Sequence, residues 1–174
     1  MKKGQDGFTL VEMLCTIVIM LLVSAAVTVG IRLAVQSYAD SITHSESQSL
    51  CSAVMDAVSD EVRYDTIVQW PEGQEESRLV FRSRRYTGDR YLDVDGNGRV
   101  IVIPVDQTDP DRKIQELLPS KTYSNGMRAE LTLTPDRSRN LVRVEIQITD
   151  KNGRLLAERA NDVEILNPSA QQGS

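Results

Sequence analysis

The stretch Gly7-Phe8-Thr9-Leu10-Val11-Glu12-Met13-Leu14 opens the most apolar region of this 174-residue chain. From Met13 to Ile31 the sequence contains no charged side chain. These 19 residues, at a helical rise of about 1.5 Å each, come close to the roughly 30 Å hydrocarbon thickness of a bilayer. The region therefore predicts a membrane-spanning helix near the start of the chain.

A single carboxylate, Glu12, lies at the edge of this apolar run. An ionised side chain costs about 2.5–3.5 kcal/mol toward the bilayer centre when it lacks a partner. Because a charged carboxylate is so unfavourable beside a membrane span, its presence there indicates a function. We therefore expect Glu12 to meet an opposite charge.

Residues 7–12, Gly-Phe-Thr-Leu-Val-Glu, resemble the processing site of type IV prepilins and of the pseudopilins of type II secretion and competence systems. The resemblance implies that a prepilin peptidase cuts after Gly7 and that the new N-terminal residue, Phe8, is N-methylated. It also implies that Glu12 meets the N-terminal amine of a neighbouring subunit, because paired charges are better tolerated in a low-dielectric helix bundle than lone ones. The implied partners are other pilin or pseudopilin subunits, the prepilin peptidase, membrane lipid, and an inner-membrane assembly platform with its ATPase.

Three other interpretations of the N-terminal region remain open. An ordinary secretory signal would be cut near the small residues at 23–26, although Glu12 would interrupt its apolar core. A lipoprotein anchor would use Cys15, although Leu14 precedes it where a small residue is expected. A plain single-pass anchor would need neither cleavage nor assembly. The alternative function is then a membrane-tethered binding module with a β-rich head that does not polymerise.

The charge distribution predicts how the chain lies in the membrane. Lys2 and Lys3 precede the apolar run, and the whole chain has a formal net charge of −5. The positive-inside rule therefore predicts a cytoplasmic N-terminus and a head outside the cytoplasmic membrane. The resemblance implies a later location in a cell-surface filament.

The sequence divides into five predicted segments. Apolar residues continue at helical spacing past the membrane region, and neither Pro nor Gly occurs between Ile31 and Trp70. We therefore expect one continuous helix from about Phe8 to about Tyr64. The predicted segments are a leader at 1–7, a transmembrane and assembly helix at 8–35, its amphipathic continuation at 36–70, a β-rich globular head at 71–168 and a disordered tail at 169–174.

The head shows the alternating pattern of β-strands. Turns at 135–138 and 150–153 would join the last three strands. The predicted fold class is α+β, with a long N-terminal helix packed on a small antiparallel sheet, as in pilins. The predicted strands are Leu79–Phe81, Val100–Ile103, Ala129–Leu133, Leu141–Ile148 and Arg154–Glu158.

A second motif in the head has two interpretations. Asp93, Asp95 and Asn97 match the first three oxygen ligands of a calcium loop. The position that should supply the bidentate Glu is Pro104, so a complete EF-hand is excluded and only a looser calcium site could remain. The alternative, which we favour, is a β-turn in which Asp, Asn and Gly supply the backbone conformations of a hairpin.

Arginines cluster near the first predicted strand of the head. Arg78, Arg82 and Arg84 would share one face of that strand, and such a basic face could capture DNA despite the negative total charge. The alternative, again favoured, is a solvated outer face that is paired with acidic residues. DNA is thus the less favoured of the candidate partners.

The sequence offers no constellation of side chains for catalysis. The single histidine, His44, lies on the polar part of the helix and matches no nucleophile or metal-ligand spacing. We therefore expect a structural protein rather than an enzyme, with no cofactor apart from the calcium ion considered above.

Overall fold

The computed structural model describes residues 9–70, 78–106 and 113–167 of the chain. The chain forms two compact units, Met1–Ile42 and Thr43–Ser174, which we call the N-terminal unit and the head unit. One helix, α1 (Leu10–Tyr64), contributes residues to both units. Its continuity and its end at Tyr64 confirm the predicted long helix. The predicted leader at 1–7, the helix start at Phe8 and the tail at 169–174 lie outside the described residues.

The N-terminal unit consists of the first part of α1. Every described side chain from Thr9 to Ile42 is exposed. The most apolar window of the helix has a mean hydropathy of 2.6, and none of that window is buried within the chain. This part of α1 therefore has the length and composition to cross a membrane, and it leaves its apolar surface free for other molecules to cover.

The head unit contains two antiparallel sheets. The first sheet has five strands in the order β1-β2-β3-β4-β5, and the second has three in the order β6-β7-β8. Two short 3-10 turns, Ser120–Thr122 and Ser124–Gly126, lie between the sheets along the chain. The strands are β1 (Thr66–Gln69), β2 (Val80–Arg82), β3 (Asp89–Val94), β4 (Val100–Pro104), β5 (Gln115–Glu116), β6 (Arg128–Asp136), β7 (Leu141–Thr149) and β8 (Leu155–Glu164).

One face of α1 and the inner faces of both sheets form the core of the head. The buried helical residues recur at spacings of three and four, which places them on one face. Burial of a large aliphatic side chain contributes about 1.5–3 kcal/mol relative to its exposure. The core residues from α1 are Leu50, Cys51, Val54, Met55, Val58 and Val62, and the most deeply buried ones from the sheets are Ile67, Phe81, Val100, Val102, Val142, Val144, Ile146, Ile148 and Val163.

Hydrogen bonds fasten α1 to the rest of the head near each end of its buried face. Glu46 Oε2 accepts from Ser124 Oγ at 3.1 Å and from Asn125 Nδ2 at 2.6 Å. Toward the other end, the Leu166 N–H donates to the Arg63 carbonyl at 3.0 Å. The helix is thus held by polar contacts as well as by the core.

The structure differs from the predicted β organisation in several places. The segment 36–70 was assigned to the continuation of the helix, with the helix ending at about Tyr64, but the strand that follows it, β1, was not predicted; only Ile67 is buried in β1. A single buried apolar residue does not establish the alternating pattern by which a strand is distinguished from the end of a helix. The two-residue strand β5 was also missed, and the head has two sheets where one was expected.

The second sheet is longer than the predicted strands. Strand β6 continues through Pro135, which pairs with Val142, so the turn begins after Asp136 and not at 135. Pro is tolerated there because β6 is an edge strand of its sheet, where one row of N–H groups has no ladder partner. The predicted turn at 150–153 is confirmed, and β8 extends beyond Glu158 to Glu164.

Candidate functional site

The start of α1 is closed by a reciprocal hydrogen-bonded cap. The Glu12 N–H donates to Thr9 Oγ1 at 3.3 Å, and the Thr9 N–H donates to Glu12 Oε2 at 3.1 Å. The Thr9 hydroxyl also lies 3.2 Å from Glu12 Oε2. This is a capping box, which satisfies two backbone N–H groups that the helix leaves without partners. The role of Thr9 was missed from the sequence, although Thr-x-x-Glu before an apolar run is a recognised signal.

Glu12 lies in the first turn of α1 and is exposed, as are all its apolar neighbours on the helix. In the described part of the chain, no Lys, Arg or His side chain forms an ion pair with it. Gly7 and Phe8, the other two predicted site residues, lie outside the described residues. Glu12 therefore presents a carboxylate, already held in position by Thr9, on an otherwise apolar surface.

The apolar surface around Glu12 is extensive. Leu14 is 61% exposed, Leu21 is 65% exposed and Ile31 is 59% exposed. Large aliphatic side chains of these types are usually buried in folded proteins. Exposed apolar patches of this size mark membrane or protein contacts. The long apolar helix is that of a membrane-anchored, single-pass protein.

These features define a class: a membrane-anchored α+β protein whose exposed apolar helix begins with one carboxylate. Residues 2–28 match the family model of the prokaryotic N-terminal methylation motif, the signature of type IV prepilins and pseudopilins. The match confirms the resemblance predicted from residues 7–12, and the family is one of structural subunits, not of enzymes. No curated protein and no solved structure matches the chain.

The predicted calcium residues Asp95 and Asn97 lie in the turn between β3 and β4. Asp95 Oδ1 accepts from the Asn97 and Arg99 N–H groups at 2.9 and 2.8 Å, and Oδ2 accepts from Arg99 Nε at 2.9 Å. Partial burial disfavours the charged carboxylate, but these hydrogen bonds outweigh it and lower the pKa of Asp95. Both oxygens of this carboxylate are thus engaged by N–H donors.

The rest of this turn has the geometry of a β-turn. The Gly98 N–H donates to the Asp95 carbonyl at 2.9 Å, which is the hydrogen bond from residue i+3 to residue i. Asp93 Oδ1 accepts from the Val94 N–H at 2.8 Å. Across the described ranges, no group of three or more His, Cys, Asp or Glu side chains is arranged to hold a metal ion.

The three predicted DNA-contacting arginines lie in and beside β2. Only Arg82 lies within β2, with Arg78 before it and Arg84 after it. Arg82 Nε lies 2.9 Å from Asp89 Oδ1, and Arg78 Nη2 lies 3.6 Å from Asp93 Oδ2. Two of the three charges are therefore accompanied by a carboxylate.

Arg78 and Arg84 contact different parts of the head. The Arg78 guanidinium lies over the ring of Tyr91, 4.4 Å from its centroid. The Arg84 side chain lines a cleft at the end of α1, and its backbone N–H donates to Asp65 Oδ1 at 2.9 Å. Asp89, Tyr91 and Asp93 alternate along β3, so Arg78 and Arg82 lie on one face of the first sheet, whereas Arg84 lies beside the end of α1.

His44 lies on the exposed side of α1, as expected from the sequence. Its carbonyl accepts a hydrogen bond from Ser47 Oγ at 2.8 Å. This is an ordinary contact along a helix, from a side chain to a carbonyl of the preceding turn.

Proposed function

We propose that this protein is a structural subunit of a type IV pilus, a competence pseudopilus or a type II secretion pseudopilus. The methylation motif at residues 2–28 carries the proposal. The exposed apolar surface from Leu10 to Ile42 supports it, because the same surface on neighbouring helices would cover it in a filament. The fold would thus serve assembly and not a reaction.

In this proposal a prepilin peptidase cuts after Gly7, and Phe8 becomes the methylated N-terminal residue. Cleavage creates an ammonium group one residue before Thr9, close along the chain to the capped carboxylate of Glu12. Inside a helix bundle each charge needs a partner, because a lone buried charge is strongly destabilising. We infer that Glu12 binds the amine of an adjacent subunit and thereby fixes the register between helices.

The cellular setting follows from the same proposal. The N-terminus would lie in the cytoplasm, the head outside the membrane, and an inner-membrane platform with its ATPase would extract the mature helix into the filament. The role of a minor subunit fits a head without a disulfide, since both cysteines are free and Cys51 is buried in the core.

Assembly in cells that contain the complete filament machinery tests the proposal. Wild-type protein, Glu12→Ala and the control Asp40→Ala would be compared in the filament fraction sheared from the cell surface. Asp40 is an exposed acid on the same helix, outside the capped start. We expect wild type and Asp40→Ala in the filament fraction, and Glu12→Ala only in the membrane. Equal recovery of Glu12→Ala, or wild type that never leaves the membrane, would favour a tethered module that does not polymerise.

A further inference from the structure

The end of helix α1 in the head unit carries two buried carboxyl groups that the filament proposal does not use. Glu61 and Asp65 are each only 2% exposed. Asp65 directly follows α1, and its N–H donates to the Glu61 carbonyl at 3.2 Å, so the two residues keep the i, i+4 spacing that brings side chains together on a helix face. Two adjacent buried acids are unfavourable when both are charged, since desolvation and mutual repulsion both oppose ionisation.

The contacts of the two carboxyl groups leave one oxygen of each without a hydrogen bond. Glu61 Oε2 accepts from Ser83 Oγ at 3.4 Å, and Asp65 Oδ1 accepts from the Arg84 N–H at 2.9 Å. Arg85 Nη1 lies 3.2 Å from Glu61 Oε1, but it is not oriented to donate a hydrogen bond. Glu61 Oε1 and Asp65 Oδ2 therefore accept no hydrogen bond from any part of the chain that the structure describes.

Few positive charges face this pair. The two acids border a cleft of about 350 Å³ with Asp60 and Tyr64 on α1 and with Arg84 and Arg85 on the 83–88 loop between β2 and β3. The Arg85 side chain is 60% exposed, so water screens its attraction to Glu61. Asp60 adds a third negative charge at the cleft. The exposed Arg85 does not offset two buried negative charges, and a proton shared between the two acids would remove one of these charges.

Burial is the largest cause that raises the pKa of Glu61, and contact with Asp65 raises it further, to about 7. Arg85 and Ser83 act in the opposite direction but are outweighed. The burial of the pair therefore favours a neutral Glu61 at mildly acidic pH.

We propose that Glu61 stays protonated in the folded head and donates a hydrogen bond to Asp65, and that loss of this proton releases the 83–88 loop from the end of α1. With the proton in place, the pair forms one O–H···O hydrogen bond, and the loop stays fastened through Ser83 and Arg84. Without it, two like charges lie side by side under the loop, and water can reach them only if the loop moves away. The device would make the head respond to the pH outside the membrane, independently of filament assembly.

The sign of the effect follows from proton linkage. The ordinary pKa of a glutamic acid is 4.5, and that of folded Glu61 is about 7. The folded head therefore binds a proton that the unfolded chain releases between these two values. The contribution of this group to stability should be greatest below pH 4.5, and should be lost as the pH rises from 4.5 through about 7.

The wild-type protein supplies the first test. The full chain in detergent micelles, with ¹³C-labelled glutamate carboxyl groups, would be titrated from pH 4 to 9, and the Glu61 signal would be assigned from its loss in Glu61→Gln. We expect a midpoint near 7, with amide hydrogen exchange in the 83–88 loop that is at least several-fold faster at pH 8 than at pH 5.5 after correction for intrinsic rates. A midpoint below pH 5 would overturn the proposal, and so would loop protection that does not change.

A matched pair of variants supplies the second test. Glu61→Gln keeps the size of the side chain and an N–H donor toward Asp65 but cannot titrate, whereas Asp60→Asn removes an exposed acid from the same cleft. We expect the fall in melting temperature between pH 5 and 8 to be largely abolished in Glu61→Gln and kept in Asp60→Asn. A Glu61→Gln protein with the full wild-type pH dependence would refute the idea. If Glu61→Gln fails to fold, two measurements on the wild-type protein still test the proposal. They are the pH dependence of amide exchange in the 83–88 loop and the titration midpoint of the Glu61 carboxyl signal, which Glu61→Asp would then assign.

Discussion

At the scale of single residues, Glu12 caps α1, and we propose that it also binds the amine of a neighbouring subunit. Its Oε2 atom closes the start of α1 through Thr9, whereas the carboxylate as a whole has no cationic partner among the residues described. The cap restricts the side chain before any neighbour arrives. A restricted carboxylate loses less conformational entropy when it binds an amine, so Thr9 would favour the proposed pairing.

Replacement of Thr9 by Ala should loosen the first turn of α1. The loss of a side-chain cap costs about 0.5–2 kcal/mol of helix stability. Amide hydrogen exchange in micelles should show faster exchange at the Glu12 N–H in Thr9→Ala, and near wild-type exchange in the control Thr9→Ser. Identical exchange in Thr9→Ala and wild type would show that the cap is unimportant in the micelle.

Gly98 occupies a position in the head where a side chain has no room. It has a φ of +75°, and a Cβ atom there would lie 2.4 Å from Arg128 Cβ and 2.8 Å from Arg128 Cα. Its carbonyl also accepts a hydrogen bond from the Ala129 N–H at 2.7 Å, so the turn cannot move away from β6 without breaking this hydrogen bond.

The Gly98→Ala substitution should therefore destabilise the head by at least about 1–3 kcal/mol, the cost of an unfavourable backbone conformation alone. The matched control is Gly96→Ala in the same turn, where a Cβ atom would meet nothing within 4 Å. Thermal unfolding of the full chain in detergent would compare the two. Equal melting temperatures for both variants would contradict the close approach of β6.

At the scale of elements, the head depends on one face of α1. Met55 is 2% exposed and packs in the core that both sheets complete, whereas its neighbour Asp56 is exposed. Met55→Ala should lower the free energy of unfolding by about 2–5 kcal/mol, the range for large-to-small core substitutions. Asp56→Ala should change it by less than about 0.5 kcal/mol. Chemical denaturation measures both, and similar values for the two variants would argue against this packing.

Local patterns in the sequence predicted the elements with long periodic signals. The apolar stripe on α1 and the alternation in β7 extend over many residues, and each repeats a single period. Strand β1 has one buried residue and β5 has none, so their pairing depends on residues far away in the sequence. The separation into two sheets is likewise a tertiary property, to which local propensity does not extend.

In the candidate sites, too, features with a local sequence signal could be predicted, whereas features that depend on tertiary contacts could not. The apolar run and its single carboxylate can be read directly from the sequence, because a membrane span needs only length and composition. The Glu61 and Asp65 pair could not be predicted, because its burial depends on the 83–88 loop that covers it. One local signal was present: Glu61 falls beside Val58 and Val62 on the buried face, where a charged residue is unexpected.

At the scale of the whole molecule, the two units have different tasks. All buried apolar residues of the described chain lie from Leu50 onward, so the N-terminal unit contributes none of them. The head should therefore fold without the membrane helix. A fragment that begins at Thr43 should be soluble without detergent and should melt within about 5 °C of the head in the full chain. Aggregation of this fragment, or the absence of a cooperative transition, would contradict the division into units.

The central claim is that the chain is a processed subunit of the prepilin class, and the N-terminus of the membrane-extracted protein tests it most directly. The protein would be co-expressed with an active or a catalytically dead prepilin peptidase, with Gly7→Ala as the cleavage variant and Gly4→Ala as the matched leader control. With the active enzyme, intact-mass and N-terminal analysis should find a chain that begins at methylated Phe8 for wild type and for Gly4→Ala. Gly7→Ala, and every chain co-expressed with the dead enzyme, should stay uncut. An uncut wild-type chain, or one cut near Ala25, would contradict the account.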